Sequence, residues 1–179
     1  MNANGTTLDG VSGPQGSLHE QPMPKLAFRS VTKGFAGANG WMPAVQGLDL
    51  EVRAGEFVCI VGPSGCGKTT LLNLAAGFIK PDQGDVLLDG ASVREPGPDR
   101  AFVFQESALF PWLTVQRNIE LGLDLAKKPK KERQLVSDFY LRLVHLERFR
   151  NSLVHELSGG MKQRVELARA MALSPSVFL

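Results

Sequence analysis

The sequence predicts an α/β fold built around a phosphate-binding loop, and three adjoining features predict it. Phe57 to Val61 is a continuous apolar run, the texture of a strand buried on both faces. Gly62-Pro-Ser-Gly-Cys-Gly-Lys-Thr69 follows without a gap and fits GxxxxGK[ST]. Helical text then runs from Lys68 to about Ala76 and stops at Gly77, a residue suited to a left-handed cap. Strand, glycine-rich loop and helix, in that order, are the setting the motif requires.

The remaining elements are predicted in turn. Residues 1–24 hold four glycines, three prolines and no aromatic residue. Such a segment buries too little apolar surface to order itself and is expected to be a flexible tail. Strand text begins at Leu26 (LAFRSV) and resumes at Ala44, where VQGLDLEV alternates apolar and polar residues. Phe35 to Pro43, between them, is predicted as a loop carrying Gly37 and Gly40. Asp85 to Leu88 and Ala101 to Phe104 read as further short strands. From Thr114 to about His145 the pattern is helical, broken at Lys127-Lys-Pro-Lys-Lys131. Pro129 there suits a first helical turn, and the lysines suit a solvated helix end. A last helix, from about Gly160 to Leu173, puts Met161, Val165, Ala168 and Ala172 on one face. Pro175 closes it, and Val177-Phe-Leu179 opens another apolar run.

Composition narrows the function classes. A chain of 179 residues with 43% hydrophobic and 21% charged residues has the balance of a folded globular domain. It is long enough to build a core without disulfides or a structural metal. Twenty Lys and Arg against eighteen Asp and Glu leave +2, too small an excess to point to nucleic acid. Cys59 and Cys66 have neither CxxC nor zinc spacing, so free thiols are expected. No basic cap precedes an apolar stretch at the N-terminus, so no signal peptide is expected. The glycines and hydroxyls within Phe57 to Ile79 make that span a poor membrane helix.

The chemistry lies in two motifs. In Gly62 to Thr69, glycines let backbone N–H groups curl around a phosphate, and the helix N-terminus adds its positive dipole end. Lys68 can reach the β and γ oxygens, and the Thr69 hydroxyl can ligate Mg²⁺. Cys66 stands inside this loop, whereas Cys59 is expected to be buried in mid-strand, so Cys66 should react first and bound nucleotide should shield it. Ninety residues after Lys68, Leu157-Ser-Gly-Gly-Met-Lys-Gln-Arg164 opens the last helix. Ser158 is a natural N-cap, and the two glycines leave a second set of helix N–H groups bare for an anion.

With both motifs in place, residues 25–179 resemble the ATPase subunits of ABC transporters. Gly62 to Thr69 match the Walker A loop, and Leu157 to Arg164 match the signature LSGGQ with Met161 at the usual Gln position. Gln105, in Phe102-Val-Phe-Gln-Glu106, matches the Q-loop glutamine at the end of a strand. Phe35 matches the aromatic that stacks on adenine, with Trp41 a rival in the same long loop. Pro98 to Thr114 is similar in wording to the nitrate/sulfonate/taurine branch of importers. The resemblance implies a P-loop NTPase fold of the ABC ATPase type: a mixed sheet around the P-loop helix, and a helical subdomain over about 106–160.

The resemblance also implies site, partners and place. ATP and Mg²⁺ would be held by Phe35, Gly62, Pro63, Ser64, Gly65, Cys66, Gly67, Lys68, Thr69 and Thr70 on one side. Ser158, Gly159, Gly160 and Gln163 of a second copy would close the site from the other. Thr69 and Gln105 would meet the metal, and Lys68 and Gln105 would act in catalysis. Partners would be a second ATPase subunit, two transmembrane permease subunits docking near Gln105 to Leu113, and indirectly an extracytoplasmic solute-binding protein. Phe110 and Trp112 suit that docking or plain packing equally. The place implied is peripheral, at the cytoplasmic face of the cell membrane. An Asp-Glu strand is expected after Ser174-Pro175, and Leu179 falls inside it. The Walker B aspartate, catalytic glutamate and switch histidine therefore have no counterparts in residues 1–179, and none of His19, His145 or His155 substitutes. The chain reads as the first part of a longer subunit, expected to hydrolyse negligibly alone. The alternatives are a nucleotide-binding piece without hydrolysis and a soluble, non-transport ABC protein.

Overall fold

A long antiparallel hairpin opens the fold: β1 (Leu26–Gly37) pairs with β2 (Gly40–Val52), from Leu26 opposite Val52 to Gly37 opposite Gly40. The computed structural model describes residues 23–37 and 40–179, so the tail expected over 1–24 lies, Met23 and Pro24 apart, outside the described residues. Phe35 to Pro43, expected as a loop, is instead the far end of this hairpin. Its glycines and aromatics disguise a pairing that only the partner strand reveals. On its other edge β1 pairs antiparallel with β3 (Gln83–Leu88), and β3 with β4 (Ala91–Ser92), giving the order β2-β1-β3-β4.

Helix α1 (Lys68–Ala76) packs beneath this sheet and ends at Gly77, which is left-handed at φ +79°. Leu26, Phe28, Val31, Leu74, Val86 and Leu88 are buried together there, with Val177 and Leu179 against them. Each large side chain contributes about 1.5–3 kcal/mol of burial. A second cluster joins α2 (Val115–Leu125), α3 (Lys130–Leu143) and α4 (Gly159–Met171). Thr114 caps α2 by accepting from the Arg117 N–H at 3.2 Å. Pro129 stands one position before α3, as its N-cap. On α4 the expected face is the buried one: Val165, Ala168 and Ala172 lie in the cluster, and Met161 packs on it.

Two strand expectations fail. Phe57 to Val61 forms no ladder, and Phe57 is 94% exposed. An apolar run becomes a central strand only when its N–H and C=O groups find neighbours on both sides. Among the described residues this run finds none, and it rims a cavity of about 590 Å³ with Leu71, Leu72, Val177 and Phe178. Ala101 to Phe104 is strand only at its start: β5 (Arg100–Ala101) pairs parallel with β6 (Val177–Phe178) in a separate small sheet. Past it, Phe102 and Phe104 turn towards Phe78, with ring centroids 5.2 and 6.1 Å away.

Candidate functional site

Loop and helix build the first half of the site. Gly62 to Gly67 has no regular structure, and Gly65 and Gly67 take φ of +80° and +93°. At Gly67 a Cβ would overlap the Ala44 carbonyl oxygen of β2, so close packing on the hairpin demands glycine there as much as ligand approach does. Helix α1 starts with no side-chain cap and no acidic residue in its first turn. The N–H groups of Lys68, Thr69 and Thr70 are left for an anion, which suits a phosphate. The Lys68 ammonium meanwhile donates to the carbonyls of Gly62 and Pro63 at 2.8 and 2.6 Å. Thr69 is exposed, and its hydroxyl makes no hydrogen bond among the described residues, which suits an oxygen-loving cation such as Mg²⁺.

Exposure does not separate the two thiols, because Cys59, outside any strand, is exposed as well as Cys66. Position does: the Cys66 sulfur stands 3.5 Å from the Lys68 nitrogen, inside the phosphate loop. Mg·ATP should therefore protect Cys66, and not Cys59, from maleimide labelling followed by peptide mass spectrometry. Equal protection of both thiols would contradict this placement.

The hairpin end offers two aromatics on opposite faces. Phe35 pairs with Met42 and Ala36 with Trp41, and successive pairs alternate sides. The Trp41 indole lies directly over Gly34, where a Cβ would overlap it. Phe35 shares its face with Lys33, whose ammonium is 5.7 Å from the ring centroid. Lys33 in turn pairs with Val45, whose methyl group a Cβ at Gly67 would meet at 3.5 Å. Asp82, just after α1, fixes this end by accepting from Lys33 at 2.7 Å and from the Gly34 N–H at 2.8 Å. These bonds, the Lys33 one foremost, hold the Asp82 carboxyl below the usual carboxylate value. The tie is accordingly present above the ordinary Asp pKa and is lost as pH falls through the lowered one. Sequence reading missed Asp82, since nothing near Pro81 marks its partners on β1.

The start of α4 carries the second group of candidate residues. Ser158 accepts from the Met161 N–H at 3.3 Å, and Gly159 and Gly160 face open space. Gln105 lies beyond any strand, four residues after β5, in an exposed bend with Glu106. A cavity of about 460 Å³ brings Gln105 beside Gly159, Lys162 and Gln163. By contrast, Gly62 to Thr69 shares no hydrogen bond with Ser158 to Gln163 among the described residues.

Comparison with known proteins agrees in sequence and in shape. Residues 45–179 match the family model described as ABC transporter. The chain is 45% identical over 154 residues to the nitrate import ATP-binding protein NrtD of Synechocystis sp., covering 86% of this chain and 58% of that protein. It is 46% identical over 158 residues to the bicarbonate transport ATP-binding protein CmpC of Synechococcus elongatus, covering 86% of this chain and 24% of that one. It thus spans little more than half the length of the relatives it matches, or less. Among solved structures, the dimeric post-hydrolysis state of the ATP-binding cassette MJ0796 bound to ADP and Pi superposes with a TM-score of 0.76. That match has 34% identity and covers 86% of this chain and 72% of that one.

Proposed function

This chain belongs to the ABC transporter family, and from that premise we propose that it is the ATP-binding subunit of an importer for a small anion. Nitrate and bicarbonate, named for the relatives, and the sulfonates and taurine of the resembling branch define the solute class. One observation carries the reading: the chain holds two helix starts open to anions, α1 behind Gly62 to Thr69 and α4 behind Ser158 to Gly160, that share no hydrogen bond among the described residues. Two copies placed head to tail would set each phosphate loop against the other's α4, an arrangement supported by the dimeric cassette among the structural relatives.

In this reading Lys68 leaves the Gly62 and Pro63 carbonyls and, with the α1 N–H groups, neutralises charge on the β and γ phosphates. Thr69 and Gln105 would hold Mg²⁺, which when bound spreads the phosphate charge. Gln105, exposed at the α4 cavity, also orients the attacking water. Loss of the γ-phosphate removes the attraction between the halves, and the shift passes to permease subunits seated on Gln105 to Leu113, where Trp112 is 72% exposed. A solute-binding protein would deliver the anion, and the subunit would sit at the cytoplasmic face of the membrane. Hydrolysis is proposed for the whole subunit; residues 1–179 alone would bind nucleotide with negligible turnover.

Calorimetry with Mg·ATP tests the assignment. Phe35, on the face that meets Gly67, should stack on adenine, so Phe35→Ala weakens Mg·ATP and Mg·ADP alike by about 1–3 kcal/mol. Trp41→Ala should leave both near the wild-type value. The reverse order would move the stacking role to Trp41, and a wild-type subunit that takes up no Mg·ATP would overturn the function.

A further inference from the structure

Two side chains of α4 grip one residue just past Gln105 by both of its backbone polar groups. The Glu166 carboxylate, 5% exposed, accepts from the Ala108 N–H at 2.6 Å. Arg169 donates to the Ala108 carbonyl at 2.9 Å, and its guanidinium lies 5.5 Å from the Phe110 ring centroid. From α2, Asn118 treats Phe110 likewise, accepting from its N–H at 2.9 Å and donating to its carbonyl at 3.2 Å. Leu109, between them, is buried in the helical cluster. On the other side, the Val103 N–H is bonded to the Leu179 carbonyl at 2.9 Å. Phe104, Gln105, Glu106 and Ser107 lie between these anchors; all four are exposed and form no hydrogen bond among the described residues.

Burying a carboxylate and a guanidinium is costly unless strong, charge-assisted bonds repay it. Burial lowers the Arg169 pKa, and the nearby Glu166 charge opposes that shift. Both residues stand outside the Leu157 to Arg164 motif, and their side-chain hydrogen bonds to the neighbouring segment converge on one residue, Ala108.

We propose that Glu166 and Arg169 are positioning residues that clamp residues 108–113 to α4, so that this segment and the Ser158 to Gly160 turn move as one body. The clamp stands on the geometry above; the statement that nucleotide drives it rests on the proposed function.

Amide hydrogen exchange on the full subunit, with and without a non-hydrolysable Mg·ATP analogue, separates the two. Without nucleotide, Glu166→Ala should raise exchange over residues 107–110 by about tenfold while α2 and α3 stay protected. Glu166→Gln, whose amide oxygen still accepts, should restore protection, and Arg169→Met should loosen the same peptide from its carbonyl side. With the analogue, wild type should respond at both 158–162 and 108–113, and Glu166→Ala only at 158–162. A response at 108–113 that survives in both Glu166→Ala and Arg169→Met overturns the clamp. A wild type that responds at neither peptide, while the variants still show their nucleotide-free exchange changes, overturns the nucleotide reading and leaves the clamp standing.

Discussion

Lys68→Ala lowers Mg·ATP affinity by about 3 kcal/mol, roughly a hundredfold, while leaving helical content nearly unchanged. Lys68 is the one cation of the phosphate loop, and its nitrogen already reaches over that loop to the Gly62 and Pro63 carbonyls. Those carbonyls belong to exposed residues, so losing the two bonds hands them to water at little cost. Helix α1 does not use the ammonium: its first backbone bond, from the Leu71 N–H to the Gly67 carbonyl at 2.9 Å, remains. Binding and folding should therefore separate. Calorimetry giving the variant wild-type affinity would remove Lys68 from the site, and a matching loss of helix by circular dichroism would make the effect structural.

Asn118→Ala costs the subunit about 3 kcal/mol of stability, the largest effect expected from a side chain outside the site. Asn118 is wholly buried and uses both ends of its amide. Its oxygen accepts from the Phe110 N–H at 2.9 Å; its nitrogen donates to the carbonyls of Phe110, Leu113 and Thr114 at 3.2, 3.2 and 3.1 Å. Alanine leaves the Phe110 N–H and the Leu113 carbonyl without these partners, whereas the Phe110 and Thr114 carbonyls keep the backbone N–H groups of residues 113 and 118; the penalty for such orphans exceeds the value of the bonds themselves. Asn118→Asp, which keeps the acceptor but turns a buried carboxyl oxygen on the carbonyls the amide served, should cost at least as much. Urea denaturation monitored by circular dichroism measures all three proteins, and a loss below about 1 kcal/mol in Asn118→Ala would show that Phe110 to Thr114 is held by packing instead.

The features read correctly from the chain were local ones. Helix α1 runs from Lys68 to Ala76 with Gly77 as its left-handed end, as the motif and the glycine indicate. Ser158 caps α4, and the period of Met161, Val165, Ala168 and Ala172 finds its buried face. Each of these is decided within a few residues, by capping chemistry or by the 3.6-residue repeat. The misreadings were all questions of partners. Phe57 to Val61 has the right residues for a central strand and no ladder among the described residues. Phe35 to Gly37 and Gly40 to Pro43 have loop-like residues and pair antiparallel with each other and with Gly34.

By itself, then, the sequence determined the glycine-rich loop into α1, the serine-capped start of α4 and the family to which they point, because glycines, capping groups and motif spacing act over one or two turns. The tertiary structure alone decided that Phe35 and Trp41 occupy opposite faces of the hairpin, that Asp82, at the entry to β3, holds the hairpin at Lys33 and Gly34, and that Glu166 and Arg169 hold Ala108. Each of those contacts joins residues dozens of positions apart or depends on a strand register. Neither composition nor periodicity encodes such a distance; it is selected by which polar groups find partners once the apolar clusters have closed.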